Sequence, residues 1–62
     1  MVKGNLYMKA TDEITGRLYD MACIDAPSTN LVELVDEMID IGRCELGESN
    51  RITFVFKYEV KR

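Results

Sequence analysis

"PSTNLVELVDEMIDIG", residues 27–42, decides the fold because its apolar and acidic side chains separate at helical spacing. At about 100° per residue from Leu31, apolar side chains fill one half of a helical wheel and carboxylates fill the other. The apolar half comprises Leu31, Val32, Leu34, Val35, Met38, Ile39 and Ile41, and the acidic half comprises Glu33, Asp36, Glu37 and Asp40. We predict an amphipathic helix whose apolar half lies on a sheet.

Residues on either side of this stretch predict where the helix begins and ends. Pro27 cannot donate to a strand ladder, so it ends the preceding strand. Ser28 or Asn30 can cap the helix, and Glu33 follows Asn30 at the spacing of a capping box. We expect Gly42 to end the helix. The next residues, "RCELGESN" at 43–50, are then a loop or a very short strand.

Three further stretches predict strands. "NLYMKAT" (5–11) alternates apolar and polar residues, "DEITG" (12–16) has turn residues, and "RLYDMACID" (17–25) is extended again, which indicates a β-hairpin with a four- or five-residue connection. The second strand is apolar on both sides, as expected of a strand that is central, bulged or covered by a partner. "RITFVFKYEV" (51–60) is the strongest strand pattern, with its aromatic residues on one face.

The order of these elements is β-β-α-β, which predicts a small α+β fold. We expect one domain over residues 1–62, with a three-stranded antiparallel-type sheet in the order 2-1-3 and the helix on one face. A fourth strand near residues 43–47 is the alternative.

A chain of 62 residues can bury only a small core, so a disulfide, a metal or a second subunit often adds stability. Cys23 and Cys44 match no redox or zinc spacing, the chain has no histidine, and we expect both thiols to be reduced in or near the core. Lys3, Gly4 and Asn5 occupy the place of a signal peptide's apolar region, and no apolar run is long enough to span a membrane. We therefore expect a cytoplasmic protein stabilised by oligomerisation.

The sequence has no pattern that indicates a reaction or a cofactor. It lacks a Ser-His or Cys-His pair and a phosphate-binding glycine loop, and the helix carboxylates do not resemble a calcium-binding loop. We expect a protein that is not an enzyme and has no cofactor or metal. An accessory subunit that acts only in a complex would instead show a cavity lined by Asp20, Cys23 and Asp25.

The acidic half of the helix predicts a basic protein partner. Neighbouring carboxylates at Glu33, Asp36, Glu37 and Asp40 cost about 0.2–0.5 kcal/mol per contact in an isolated helix. Asp40 also lies at the negative end of the helix dipole. Local rules of this kind are most often broken at functional sites, although an acidic face that is merely solvated is the simpler interpretation. A face that binds a basic surface could inhibit a protein that handles nucleic acid.

Two other surfaces give further interpretations. On the sheet face opposite the helix, Lys3, Tyr7, Lys9 and Lys57 could bind nucleic acid, but a pI near 4.7 makes nucleic acid the less favoured partner. At the sheet edge, Thr53, Val55 and Lys57 on the third strand could pair with a second copy, so we expect a homodimer.

The β-β-α-β order in a small acidic chain is similar to that of several small phage-encoded inhibitors of host enzymes and defence complexes. That resemblance concerns the fold alone and implies an inhibitory protein of phage origin.

Overall fold

The computed structural model describes residues 2–61 and contains three strands and one α-helix. The strands are β1 (Lys3–Asp12), β2 (Leu18–Pro27) and β3 (Ile52–Val60), and the helix is α1 (Leu31–Leu46). The sheet is antiparallel in the order β2-β1-β3, and α1 packs on one of its faces. The predicted α+β class, element order and strand order are confirmed.

Asp12 holds the β1–β2 turn together. It is fully buried, and its Oδ1 accepts hydrogen bonds from the backbone N–H groups of Ile14 (2.9 Å) and Thr15 (3.2 Å). Its Oδ2 accepts a hydrogen bond from the side-chain amide of Asn50. Burial raises the pKa of Asp12, but these hydrogen bonds outweigh it, so the pKa lies below its ordinary value. The carboxylate therefore joins the hairpin turn to the segment before β3.

β2 is bulged, which was one of the three predictions for it. Gly4 pairs with Ala26 and Leu6 pairs with Cys23, so two residues of β2, Ile24 and Asp25, lie opposite Asn5. Asp25 has a positive φ of 58°, and its N–H donates to the Asn5 side chain at 3.3 Å. The bulge places β2 residues on either side of it in different registers with β1.

α1 begins at Leu31 directly after Asn30, as predicted, but the predicted capping box was wrong. Ser28–Asn30 forms a 3₁₀ turn, and neither it nor α1 has a side-chain hydrogen bond at its N-cap, so the capping box from Asn30 to Glu33 is not formed. The Ser28 N–H instead donates to the carbonyl of Val2 at 2.9 Å. Pro27 ends β2 as predicted.

The predicted end of the helix was also wrong, because α1 continues through Gly42 to Leu46. Gly42 is buried, and a Cβ atom added there would lie 2.8 Å from the Phe54 ring and 3.2 Å from the terminal methyl of Met8. It is a point of close approach between helix and sheet. Gly47 ends the helix with a φ of 96° and an N–H bonded to the Arg43 carbonyl. Residues 43–46 are helical, so the alternative fourth strand is excluded.

The core lies between α1 and the sheet. Its buried side chains come from alternate residues of β1, from the end of β2 and from α1, and they are Leu6, Met8, Ala10, Ala26, Met38 and Leu46. Tyr58 adds a hydrogen bond from its hydroxyl to the Ala26 carbonyl at 2.8 Å. Its ring lies over Gly4, where an added Cβ would be 2.8 Å from the ring and would overlap the Glu59 carbonyl oxygen.

The thiols of Cys23 and Cys44 are not bridged. Cys23 is half-buried against the core as predicted, whereas Cys44 is exposed on α1, so the prediction that it lies in or near the core was wrong. Over residues 2–61 the structure has no helix that is long and apolar enough to cross a membrane.

Candidate functional site

The acidic side chains of α1 lie on its solvent side. Glu33, Asp36, Glu37 and Asp40 are all exposed, and we call these four residues the acidic face. No salt bridge among residues 2–61 involves any of them. The acidic face is therefore available to a partner, and its mutual repulsion is not relieved by a described lysine or arginine within ion-pair distance.

The one basic residue within α1 is turned toward the sheet. The guanidinium carbon of Arg43 lies 6.0 Å from the centroid of the Phe54 ring, at the limit of a cation–π contact. Arg43 also occupies the last turn of the helix, where a cation is favoured by the dipole.

Apolar side chains border the acidic face, which the sequence interpretation did not foresee. Val32 is 77% exposed and Ile41 is 40% exposed, although both were assigned to the half of the helix that packs on the sheet. On the helical wheel they occupy the two margins of the apolar half, and that position was the available signal. A surface that mixes carboxylates with exposed aliphatic groups is better suited to a protein partner than a uniformly charged one.

The opposite face of the sheet carries a shallow groove of about 480 Å³. We call this surface the open face. Its groove is lined by residues of all three strands: Tyr7, Met8, Lys9, Asp20, Met21, Ala22, Val55, Phe56 and Lys57. The groove brings together Tyr7, Lys9 and Lys57 of the alternative nucleic-acid site, whereas Lys3 lies outside its lining. Asp25 and Cys23 are not part of the lining either, so the groove is not the cavity expected of an accessory subunit.

Acidic residues offset the lysines at the Lys61 end of the open face. The Lys61 Nζ lies 2.6 Å from Asp25 Oδ1. The hydrogen bond from Lys61 stabilises the Asp25 carboxylate most, and the positive charges of Lys61 and Lys3 stabilise it further. The pKa of Asp25 therefore lies below its ordinary value.

The remaining lysines of the open face also have acidic neighbours. The Lys57 Nζ lies 4.0 Å from Glu59 Oε2, and Lys9 is paired across the strands with Asp20. Nucleic acid binds to positive charge that neighbouring carboxylates do not offset. The acidic neighbours therefore make the open face less favourable to nucleic acid than its lysines alone suggest.

Exposed aliphatic side chains are a second feature of the open face. Val55 is 60% exposed, Ile24 is 58% exposed and Leu18 is 57% exposed. No other layer of residues 2–61 covers them, because α1 packs on the opposite side.

No cluster of three or more metal-binding side chains occurs among residues 2–61. Comparisons with protein-family models, with characterised proteins and with solved structures found no match to the chain.

Proposed function

We propose that the protein is a non-enzymatic interaction module whose acidic face binds a basic surface on another protein. The observation that supports this best is the exposure of all four carboxylates on one side of α1, with no described ion pair. Val32 and Ile41 would supply apolar contact at the margins of the same interface.

Electrostatic complementarity would direct the encounter. Residues 12–48 contain ten acids and two bases, a net charge of −8, while the rest of the chain has six bases and one acid. A basic partner is attracted to the acidic part from a distance of about one Debye length, roughly 8 Å at physiological salt. Where that partner normally binds a nucleic-acid backbone, occupation of its basic groove would inhibit it.

The experiment is a comparison of proteins captured from cell lysate by the wild-type chain and by a Glu37→Lys, Asp40→Lys double variant. A charge-matched control, Glu13→Lys with Glu48→Lys, makes the same change in net charge away from the acidic face. We expect basic proteins to be retained by the wild type and the control and lost by the helix variant. Equal capture by all three, or no specific capture by the wild type, would contradict the proposal.

The second candidate function is binding of single-stranded nucleic acid on the open face. The groove favours it, because Tyr7, on which a base could stack, lies opposite Lys57 and two residues from Lys9 in its lining. Fluorescence anisotropy with labelled single- and double-stranded oligonucleotides tests it. Binding that falls with added salt and is abolished by Lys9→Glu would support this candidate and count against the first.

A further inference from the structure

The outer edge of β3 presents a row of unpaired backbone groups. Residues of an antiparallel strand alternate between those bonded to the neighbouring strand and those pointing away from it. The Lys61 N–H donates to the Lys3 carbonyl and the Glu13 N–H donates to the Arg51 carbonyl, so odd-numbered positions of β3 bond to β1. The outward groups belong to the even-numbered residues: Ile52, Phe54, Phe56, Tyr58 and Val60.

The sheet's other edge, β2, is protected against pairing, whereas β3 is not. β2 carries a bulge at Asp25 and ends at Pro27, which has no N–H. β3 has nine residues, contains no proline and pairs with β1 without a register shift. Its aromatic row is only half-buried, because α1 packs more over β1 and β2. β3 is therefore the edge suited to another strand.

One register of β3 against a second copy of itself brings no like charges opposite each other. It places Val55 opposite Val55 of the copy on a two-fold axis, and the outward groups of Phe54 bond to those of Phe56. Arg51 then lies opposite Glu59 at both ends, and Thr53 lies opposite Lys57. Ile52 faces Tyr58 in the same register.

The neighbouring symmetric registers that keep the outward groups paired are less favourable. Centring the pairing on Phe54 brings Arg51 opposite Lys57, and centring it on Phe56 brings Arg51 opposite Lys61. Centring it on Lys57 brings two lysines face to face. Like charges directly opposite each other destabilise a strand pair. Centring it on Tyr58 pairs Lys57 with Glu59, but leaves residues 52–55 without partners within β3.

We propose that two copies of this chain associate through β3, in the register centred on Val55, to form a six-stranded antiparallel sheet. The two-fold axis is perpendicular to the sheet, so both helices lie on the same side. The two β1 strands are then three strand spacings apart, roughly 14 Å, which leaves room for two helices about 10 Å across. The acidic faces stay exposed in the dimer, which would present two copies of this surface. The dimer does not depend on the proposed function.

Cross-linking tests the register. In a Cys23→Ala, Cys44→Ala background, the Val55→Cys chain would place two thiols opposite each other at a non-hydrogen-bonded position, where Cβ atoms are about 4.5 Å apart. We expect mild oxidation to link it nearly completely. Thr53→Cys and Lys57→Cys should link poorly alone and efficiently when mixed. Leu18→Cys, equally exposed on β2, is the control, and linking no faster than this control at position 55 would overturn the proposal.

Charge exchange tests the same register with the native cysteines in place. Sedimentation equilibrium of the unmodified chain should give twice its mass of 7.1 kDa. Arg51→Glu and Glu59→Arg should each sediment as monomers, because like charges then face each other, and an equimolar mixture should again form dimers. A monomeric wild type at several hundred micromolar, or a mixture that remains monomeric, would refute the pairing. Loss of partner capture with the dimer intact would refute only the proposed function.

Discussion

Gly42→Ala tests how closely α1 lies on the sheet. Alanine gains about 0.8–1 kcal/mol of helix propensity over glycine. Its Cβ, however, would lie 2.8 Å from the Phe54 ring and 3.2 Å from the Met8 methyl, and such overpacking costs about 1–3 kcal/mol. We expect the variant to be less stable than the wild type by up to about 2 kcal/mol. A solvent-exposed helix glycine would show the opposite sign.

A double-mutant cycle with Phe54→Leu isolates the contact. Leucine removes the ring edge, so Gly42→Ala should be neutral or stabilising in that background, and the coupling between the two positions should be about 1–2 kcal/mol. Urea denaturation of the four chains, with a common slope, measures it. Additivity within about 0.5 kcal/mol would show that Gly42 does not meet Phe54, and our description of the helix would be wrong.

Three further predictions concern the hairpin, the β1–β3 contact and the acidic face. Gly4→Ala should destabilise the chain by about 1–3 kcal/mol in thermal melts, because its Cβ would overlap the Glu59 carbonyl oxygen and meet the Tyr58 ring; a gain in stability would mean that β3 does not approach Gly4 this closely. The lowered pKa of Asp12 stabilises the folded state above about pH 4, and that contribution should be lost as pH falls through its lowered pKa. Asp12→Asn should flatten this acid limb in pH-dependent melts, and an unchanged limb would contradict the assignment. Glu37→Lys should raise stability by about 0.5–1 kcal/mol in low salt, because it removes like-charge contacts, and the gain should disappear in 1 M salt; a gain that persists would not be electrostatic.

The sequence pattern predicted the strands and the hairpin because alternation is a local property of the chain. The strand order followed from the handedness of the crossover between strands. The pattern missed the end of α1, because a glycine that ends a helix and a glycine that meets a sheet look the same in one sequence. Leu46 follows Gly42 and Met38 at intervals of four, and this spacing was the signal that the helix continued.

At the candidate sites, too, the sequence predicted some features and missed others. Exposure of the acidic face followed from the helical wheel. The burial of Asp12 did not, because it depends on Asn50, which is 38 residues away along the chain. The ion pair between Lys61 and Asp25 on the open face depends on the bulge at Asp25, whose position only the paired strands determine.

The most direct test of the central claim is an NMR titration of the isotopically labelled chain with a basic protein that it captures. Each backbone amide reports whether its surroundings change on binding. We predict that signals of residues 32–41 on the outer side of α1 will shift or broaden, while Tyr7, Lys9 and Lys57 remain unchanged. Perturbation of the open face with an unaffected helix would contradict the claim that the acidic face is the binding surface.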